Sequence, residues 1–192
     1  MYDLLLRNAH VVDPLNHVNG IADVAVTDGK IAAVGRELTG EAKETVDLTG
    51  LVLQPGIIDS HVHLGSMWGS PYGPRMLAMK GVTTCLDMAG PLDDILNNVP
   101  EYGAGINMAI LQFASPPFTF KNDHPTKTEM VELIDKSLDD GALGVKLLGG
   151  HFPMDLDICG YFIDDCNKLK SWVAWHVGNT THGSNIEGLR DA

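Results

Sequence analysis

The chain has 192 residues, and 44% of them are hydrophobic, which is typical of a globular protein and not of a disordered segment. Its formal net charge of -12 argues against nucleic acid and anionic membranes as partners. No apolar run approaches the roughly 20 residues that span a bilayer, and the N-terminus has no signal-peptide pattern. The three cysteines, Cys85, Cys159 and Cys166, lack zinc-finger spacing and favour buried thiols in a reducing compartment. We therefore expect a soluble cytoplasmic protein.

Residues 1–54 are predicted to form a small β domain. Short apolar stretches at 4–12, 22–26, 30–34 and 51–53 are the candidate strands, and no helical period is visible between them. Asp28-Gly29 separates two of these stretches and is a strong hairpin signal.

From Pro55 to the end, strand-like runs alternate with helical segments. The five runs are residues 56–64, 81–89, 108–114, 142–148 and 172–177. Thr126 and Glu129 form a capping-box pattern that opens one predicted helix, and residues 155–170 carry the spacing of another. This alternation predicts an α/β fold with parallel strands. Both an open doubly wound sheet and part of a (β/α)8 barrel satisfy it.

Two histidines lie near the end of the first of these runs. His61 and His63 are one residue apart, so on a strand their side chains point to the same side. Imidazole is the commonest metal-ligating side chain, and this pair is a candidate half-site; the alternative is a chance pair at a loop mouth. A Rossmann glycine fingerprint is absent after this run. The His-x-His favours the barrel, where chemistry lies at the carboxyl ends of the strands.

Lys146 lies within an apolar, glycine-rich run. Strand alternation puts Val145 and Leu147 on one face, where they can pack on helices, and puts Lys146 on the barrel-facing side. One interpretation is a lysine that reaches solvent or pairs with a carboxylate. The other is an amine kept neutral by burial, which reacts with carbon dioxide to give a carbamate whose oxygens bridge two cations.

His176 ends the fifth run in the way that His61 and His63 end the first. As a third strand-end histidine it is a candidate metal ligand. The competing interpretation is a core histidine bonded to a backbone carbonyl.

Together these segments resemble the N-terminal half of the amidohydrolase superfamily. Residues 3–13 and 22–35 look like the small β domain of that family, and residues 50–63, which end in the His-Val-His unit, look like its first barrel strand. Residues 81–84 (Gly-Val-Thr-Thr) look like the second strand. Lys146 and His176 match the fourth and fifth strands. The implied fold is a partial TIM barrel over residues 55–192, preceded by the small β domain.

The resemblance implies a site for two divalent metal ions, expected to be zinc. His61 and His63 would bind the more buried ion, His176 the more exposed one, and Lys146, carboxylated by CO2, would bridge both. A lysine at this position points to the binuclear branch, which includes dihydroorotases, hydantoinases and D-aminoacylase-like enzymes. The implied reaction is hydrolysis of an amide or cyclic amide C–N bond in a small molecule by a metal-bound hydroxide.

In this family a catalytic aspartate comes from the eighth strand, which the chain does not reach. A barrel needs about 250 residues, so we expect a piece truncated after strand five, with the general base beyond Ala192. Relatives are often dimers or tetramers, which makes a homo-oligomer an expectation, and the oligomeric state stays open. Two alternatives also stay open: a mononuclear deaminase of the same superfamily, and an inactive or non-catalytic scaffold.

Several positions depart from particular subfamilies. In dihydroorotases the first-strand motif looks like His-x-His-x-Arg, and here Gly65 occupies the position of the arginine. In D-aminoacylases the second strand looks like Asn-Cys-Gly, and here Met88-Ala89-Gly90 stands in its place. Cys85 lies earlier in its strand and is expected in the core. His151 and His182 follow the fourth and fifth runs, and they are candidates for contact with substrate.

Overall fold

The computed structural model describes residues 1–65 and 71–192, and the chain divides into two compact units, Met1–Gly56 and Ile57–Ala192. The first unit is a five-stranded sheet. Its strands are β1 (Tyr2–Asp13), β2 (Val18–Thr27), β3 (Lys30–Gly35), β4 (Ala42–Asp47) and β5 (Val52–Leu53).

Strand β1 organises this first sheet. It pairs antiparallel with β2 and parallel with both β4 and β5, in the order β3-β2-β1-β4. Asp28 and Gly29 both adopt positive φ between β2 and β3, as the hairpin signal predicts. Strand β4 escaped prediction because its sequence, Ala-Lys-Glu-Thr-Val-Asp, is mostly polar and largely exposed.

The second unit alternates strands and helices. Its strands are β6 (Ile57–Val62), β7 (Val82–Asp87), β8 (Asn107–Ala114), β9 (Gly144–Leu148) and β10 (Trp172–His176). Its helices are α1 (Gly73–Ala78), α2 (Leu92–Tyr102), α3 (Lys127–Asp139), α4 (Leu156–Leu169) and α5 (Ile186–Asp191). The strands are parallel, in the order β10-β9-β8-β7-β6, and curl into a half-barrel. The predicted fold class, a small β domain followed by a partial TIM barrel, is confirmed.

Apolar side chains on the outer face of the sheet form the main core of this unit. Val145 and Leu147 on β9 are fully buried against Met130 and Ile134 of α3 and Phe162 of α4. Residues that alternate with them along β9 point to the opposite, inner face. The packing of helices on one side of β9 therefore places Lys146 on the inner side.

Helix α3 begins with the predicted capping box. The Thr126 hydroxyl accepts a hydrogen bond from the Glu129 backbone amide, and the Glu129 carboxylate accepts one from the Thr126 amide. Helix α2 was not predicted, and it carries Pro100 inside its last turns. No helix in the described part of the chain is long and apolar enough to cross a bilayer.

Candidate metal centre

The His-Val-His unit ends β6. The His61 and His63 ring centroids are 5.3 Å apart, and the two rings are inclined by 67°. Asp59 accepts a hydrogen bond from the His61 backbone amide at 3.2 Å, which fixes the backbone just before the pair. Both histidines are exposed on the described structure. The two imidazoles thus lie side by side, as the predicted half-site requires.

Lys146 lies in the middle of β9, aligned with Phe113 on β8 and with Ala174 on β10. Only 4% of its surface is exposed. Among residues 1–65 and 71–192 its amine has no hydrogen bond and no ion pair. Burial lowers the pKa of this amine, because an apolar environment disfavours the charged form. No carboxylate pairs with this side chain among the described residues, and its Nζ atom retains some contact with solvent.

His176 ends β10, and its imidazole is seated against the turn that follows β9. Its ring centroid is 5.4 Å from that of His151. A β-carbon on Gly150 would lie 2.2 Å from His176 Nε2, so only glycine leaves room for the ring. The His176 side chain is exposed, and its imidazole makes no hydrogen bond within the described ranges.

Electrostatic interactions connect these side chains. Partial burial lowers the pKa of His63, the Asp87 carboxylate opposes that shift, and His61 and Lys146 add to it. Burial also lowers the pKa of His176, with smaller contributions from His151, Lys146 and His61. The strand-end groups are therefore close enough to influence one another, and both imidazoles are biased towards the neutral form that binds metals.

The histidines do not form a complete metal cage. No group of three His, Cys, Asp or Glu side chains in the part of the chain that the structure describes is arranged to hold a metal ion. The donor set nevertheless fits divalent cations in two respects. Lys146 is largely buried and its amine has no partner among the described residues, and Gly150 leaves a space that the His176 ring fills.

Asp87 is a residue of this centre that the sequence did not suggest. It is the last residue of β7, is fully buried, and interacts with His63. The sequence did contain a signal for it. A carboxylate that ends β7, the second strand of this unit, lies at the same edge of the sheet as His61 and His63, because the carboxyl ends of parallel strands meet there.

The two candidate substrate-contact histidines have different surroundings. His151 lies at the mouth of β9 beside His176. His182 is bonded through Nδ1 to the Asp191 carboxylate at 2.7 Å, and the buried Asn179 amide donates to the same oxygen, also at 2.7 Å. His182, in the loop after β10, thus has a structural partner in Asp191 at the end of α5.

Cys85 lies in the core, as expected. It is 1% exposed and packs with Leu64 and Val82. Burial raises the pKa of its thiol to about 11, and the nearby Asp87 and Asp59 carboxylates add to this.

One carboxylate links three loops at the carboxyl ends of the strands. Asp155, just before α4, pairs with His124 Nδ1 of the loop after β8 at 3.0 Å. Its other oxygen accepts a hydrogen bond from the Thr180 hydroxyl of the loop after β10. The loops after β8, β9 and β10 therefore share one anchoring group.

Comparison with known proteins agrees with this architecture. No family model matches the chain. Over 99 residues it is 40% identical to the allantoinase of Escherichia coli O1:K1 / APEC, an alignment that covers 49% of this chain and 21% of that protein. A solved D-aminoacylase, whose structure was described as defining a novel subset of amidohydrolases, superposes with a TM-score of 0.75 and 22% identity over 100% of this chain.

The predicted resemblance to the amidohydrolase superfamily is confirmed. An L-hydantoinase from Arthrobacter aurescens shares the fold with a TM-score of 0.69 and 24% identity, over 94% of this chain and 42% of its own. An N-acyl-D-glutamate deacylase from Bordetella bronchiseptica, solved with zinc, has a TM-score of 0.73 and 18% identity, over 93% and 45%. The chain thus spans less than half the length of these amidohydrolase structures.

Proposed function

We propose that the complete protein containing this chain is a metal-dependent amidohydrolase that hydrolyses an amide or cyclic amide C–N bond in a small molecule. One observation carries the proposal. Lys146, which is 4% exposed and has no counter-charge among the described residues, lies on the inner face of a parallel sheet whose strand ends carry His61, His63 and His176. Burying an unpaired amine costs folding free energy. Carboxylation of the lysine would explain why an amine occupies this position.

Lys146 would become a carbamate. The neutral amine nitrogen would attack the carbon of CO2, so that an N–C bond forms while one C=O π bond breaks and its electron pair goes to oxygen, and the nitrogen then loses a proton to water. Two oxygens then replace a group that had no partner among the described residues. They supply the anionic donors that the histidines alone lack.

The remaining donors would divide between two cations. His61 and His63 on β6 would hold one, and His176 on β10 would hold the other, with the Lys146 carbamate between them. Such cations, when bound, lower the pKa of a water molecule and polarise a carbonyl group. Zinc is the proposed metal because one similar structure contains zinc and another, a D-aminoacylase, has a binuclear metal centre.

His151 would contact the substrate. Its exposed ring lies next to that of His176, at the strand ends where a substrate bound to the metals would sit. Imidazole both donates and accepts hydrogen bonds, so His151 suits the carbonyl or amide group of the scissile bond. Contact of His182 with substrate stays a prediction from the sequence. In the structure the His182 ring is bonded to the Asp191 carboxylate.

Metal content and carbamate formation test this proposal. The complete protein, loaded with zinc in buffer containing 13C-bicarbonate, should contain two zinc ions per chain and show a carbamate carbon signal. It should hydrolyse at least one of hydantoin, allantoin or an N-acyl-D-amino acid. Lys146→Ala should lose the signal, metal and turnover together, and short carboxylic acids should restore part of the turnover. The exposed Lys136→Ala serves as a matched control.

Two results would contradict it. One zinc per chain without a carbamate signal would favour the mononuclear deaminase. Absence of bound zinc from a folded complete protein would favour a non-catalytic scaffold.

A further inference from the structure

Asp87 makes an unusual set of contacts. The carboxylate is 0% exposed, and its described hydrogen bonds are all to backbone amides. Oδ2 accepts from Leu64, and Oδ1 accepts from Ala89 at 3.0 Å and from Gly90 at 2.6 Å. A buried carboxylate is costly unless such bonds compensate it, and bonds from N–H groups to an anion are strong.

We propose that Asp87 is a positioning residue for the His61 and His63 half of the metal centre. It would hold the His63 backbone, and so the direction of the His63 ring, against the loop that follows β7. This inference rests on the proposed function, because it assigns Asp87 a task in binding the same metals.

The backbone on both sides of His63 supports this role. Leu64, which follows His63, donates its amide to Asp87, and Val62, which precedes it, accepts a hydrogen bond from Met88 at 2.8 Å. His63 is therefore held between two bonds to consecutive residues of one neighbouring segment. Ligand orientation depends on such supporting bonds.

The same carboxylate connects this half of the centre with Lys146. Asp87 binds the Ala89 amide, and the Ala89 carbonyl accepts a hydrogen bond from Phe113 at 3.0 Å. Phe113 lies directly beside Lys146 in the register of β8 and β9. A continuous hydrogen-bonded path thus joins the His63 strand end to the strand next to Lys146.

Cobalt titration of the complete protein tests the inference. Asp87→Asn keeps the shape of the side chain but removes the charge and turns one acceptor into a donor facing an N–H group. We expect it to bind Co2+, added as the chloride, at least about tenfold more weakly and to change the visible absorption of the bound ion.

Asp23→Asn is the matched control. Asp23 is 3% exposed and likewise accepts two backbone amides, from Asn8 at 2.9 Å and Leu38 at 3.0 Å, but it lies in the first unit with Arg7 as partner. It should lose stability and leave the cobalt affinity and spectrum unchanged, which separates a positioning effect from a general loss of stability.

Hydrogen exchange on the unaltered protein covers the case in which Asp87→Asn does not fold. Loading with Zn2+ should slow exchange of the Leu64, Ala89 and Gly90 amides, and leave the Asn8 and Leu38 amides as they were. Equal responses of the two sets would overturn the inference, as would an Asp87→Asn protein with unchanged cobalt binding. If the unaltered protein bound no Co2+, the proposed function itself would fail, a result distinct from both.

Discussion

Gly150 and His176 are in contact across the turn after β9, and a β-carbon on Gly150 would lie 2.2 Å from the imidazole Nε2. Contacts this short are not tolerated, so an alanine at this position must displace the ring. The glycine therefore keeps open the space in which a proposed metal ligand sits.

Gly150→Ala should consequently displace His176 and release one of the two proposed zinc ions, which elemental analysis of the purified protein measures. Because the close atoms belong to the end of an exposed side chain that can rotate away, the unfolding free energy should change by less than about 0.5 kcal/mol. The control is Gly160→Ala on helix α4, where nothing lies within 4 Å. Alanine is a better helix former than glycine, so this change should stabilise by about 0.5–1 kcal/mol. Full zinc content in Gly150→Ala would refute the assignment of His176.

Lys146→Met should make the metal-free protein more stable while abolishing metal binding. The lysine is 4% exposed and its amine has no partner among the described residues, so replacing this amine should add about 1 kcal/mol to the unfolding free energy. Urea denaturation in the presence of a chelator measures this. Lys136→Met, at an exposed position, should change stability by less than about 0.5 kcal/mol. A destabilised Lys146→Met protein would show that the amine has a favourable structural interaction.

Gly65 also has no room for a side chain. A β-carbon there would lie 2.8 Å from the Gly90 carbonyl oxygen and 3.1 Å from Asp94 Oδ2. Gly65→Ala should therefore cost about 1–3 kcal/mol in thermal or urea unfolding, and the arginine of dihydroorotases cannot be introduced here without moving the neighbouring loop. Gly20→Ala, in open space on β2, is the control and should be neutral or stabilising. Equal stabilities of the two variants would contradict the crowding at Gly65.

The capping box of α3 should make stability depend on pH in a defined direction. Hydrogen bonds from the Thr126 backbone and side chain lower the pKa of Glu129 below 4.5, its ordinary value. The carboxylate then contributes stability above that value, and the contribution is lost as the pH falls through the lower, folded-state pKa. Glu129→Gln should thus be less stable than the unaltered protein at about pH 7 and equally stable at about pH 2.

Thr126→Ala should cost about 1 kcal/mol, as for other lost N-caps. Glu132→Gln, one turn further along α3, is the control, since the Glu132 side chain makes no hydrogen bond with the described residues. A gap between Glu129→Gln and the unaltered protein that persisted in acid would contradict the capping role.

Local patterns predicted much of this molecule. Strand alternation placed Lys146 opposite the helix-packing side chains Val145 and Leu147, and the structure confirms that packing. The Thr126–Glu129 pattern marked the start of α3 for a physical reason, because both groups satisfy backbone amides within four residues. Signals of this kind depend on neighbours along the chain.

Long-range contacts escaped prediction. Asp87 gains its role only when β7 lies beside β6 and brings it to the amide of Leu64, and no local pattern contains that contact. Helix α2 contains Pro100, which argues against a helix when the sequence is read alone. The pairing of His182 with Asp191 depends equally on a fold-back of the chain.

The shared Asp155 carboxylate has a consequence for engineering this protein. Its oxygens are divided between His124 and Thr180, so replacing the loop after β9 would remove the partner of both, and replacing either of the other loops would remove one partner of Asp155. Efforts to retune substrate preference by swapping these segments should exchange all three as a block, taken from one donor enzyme.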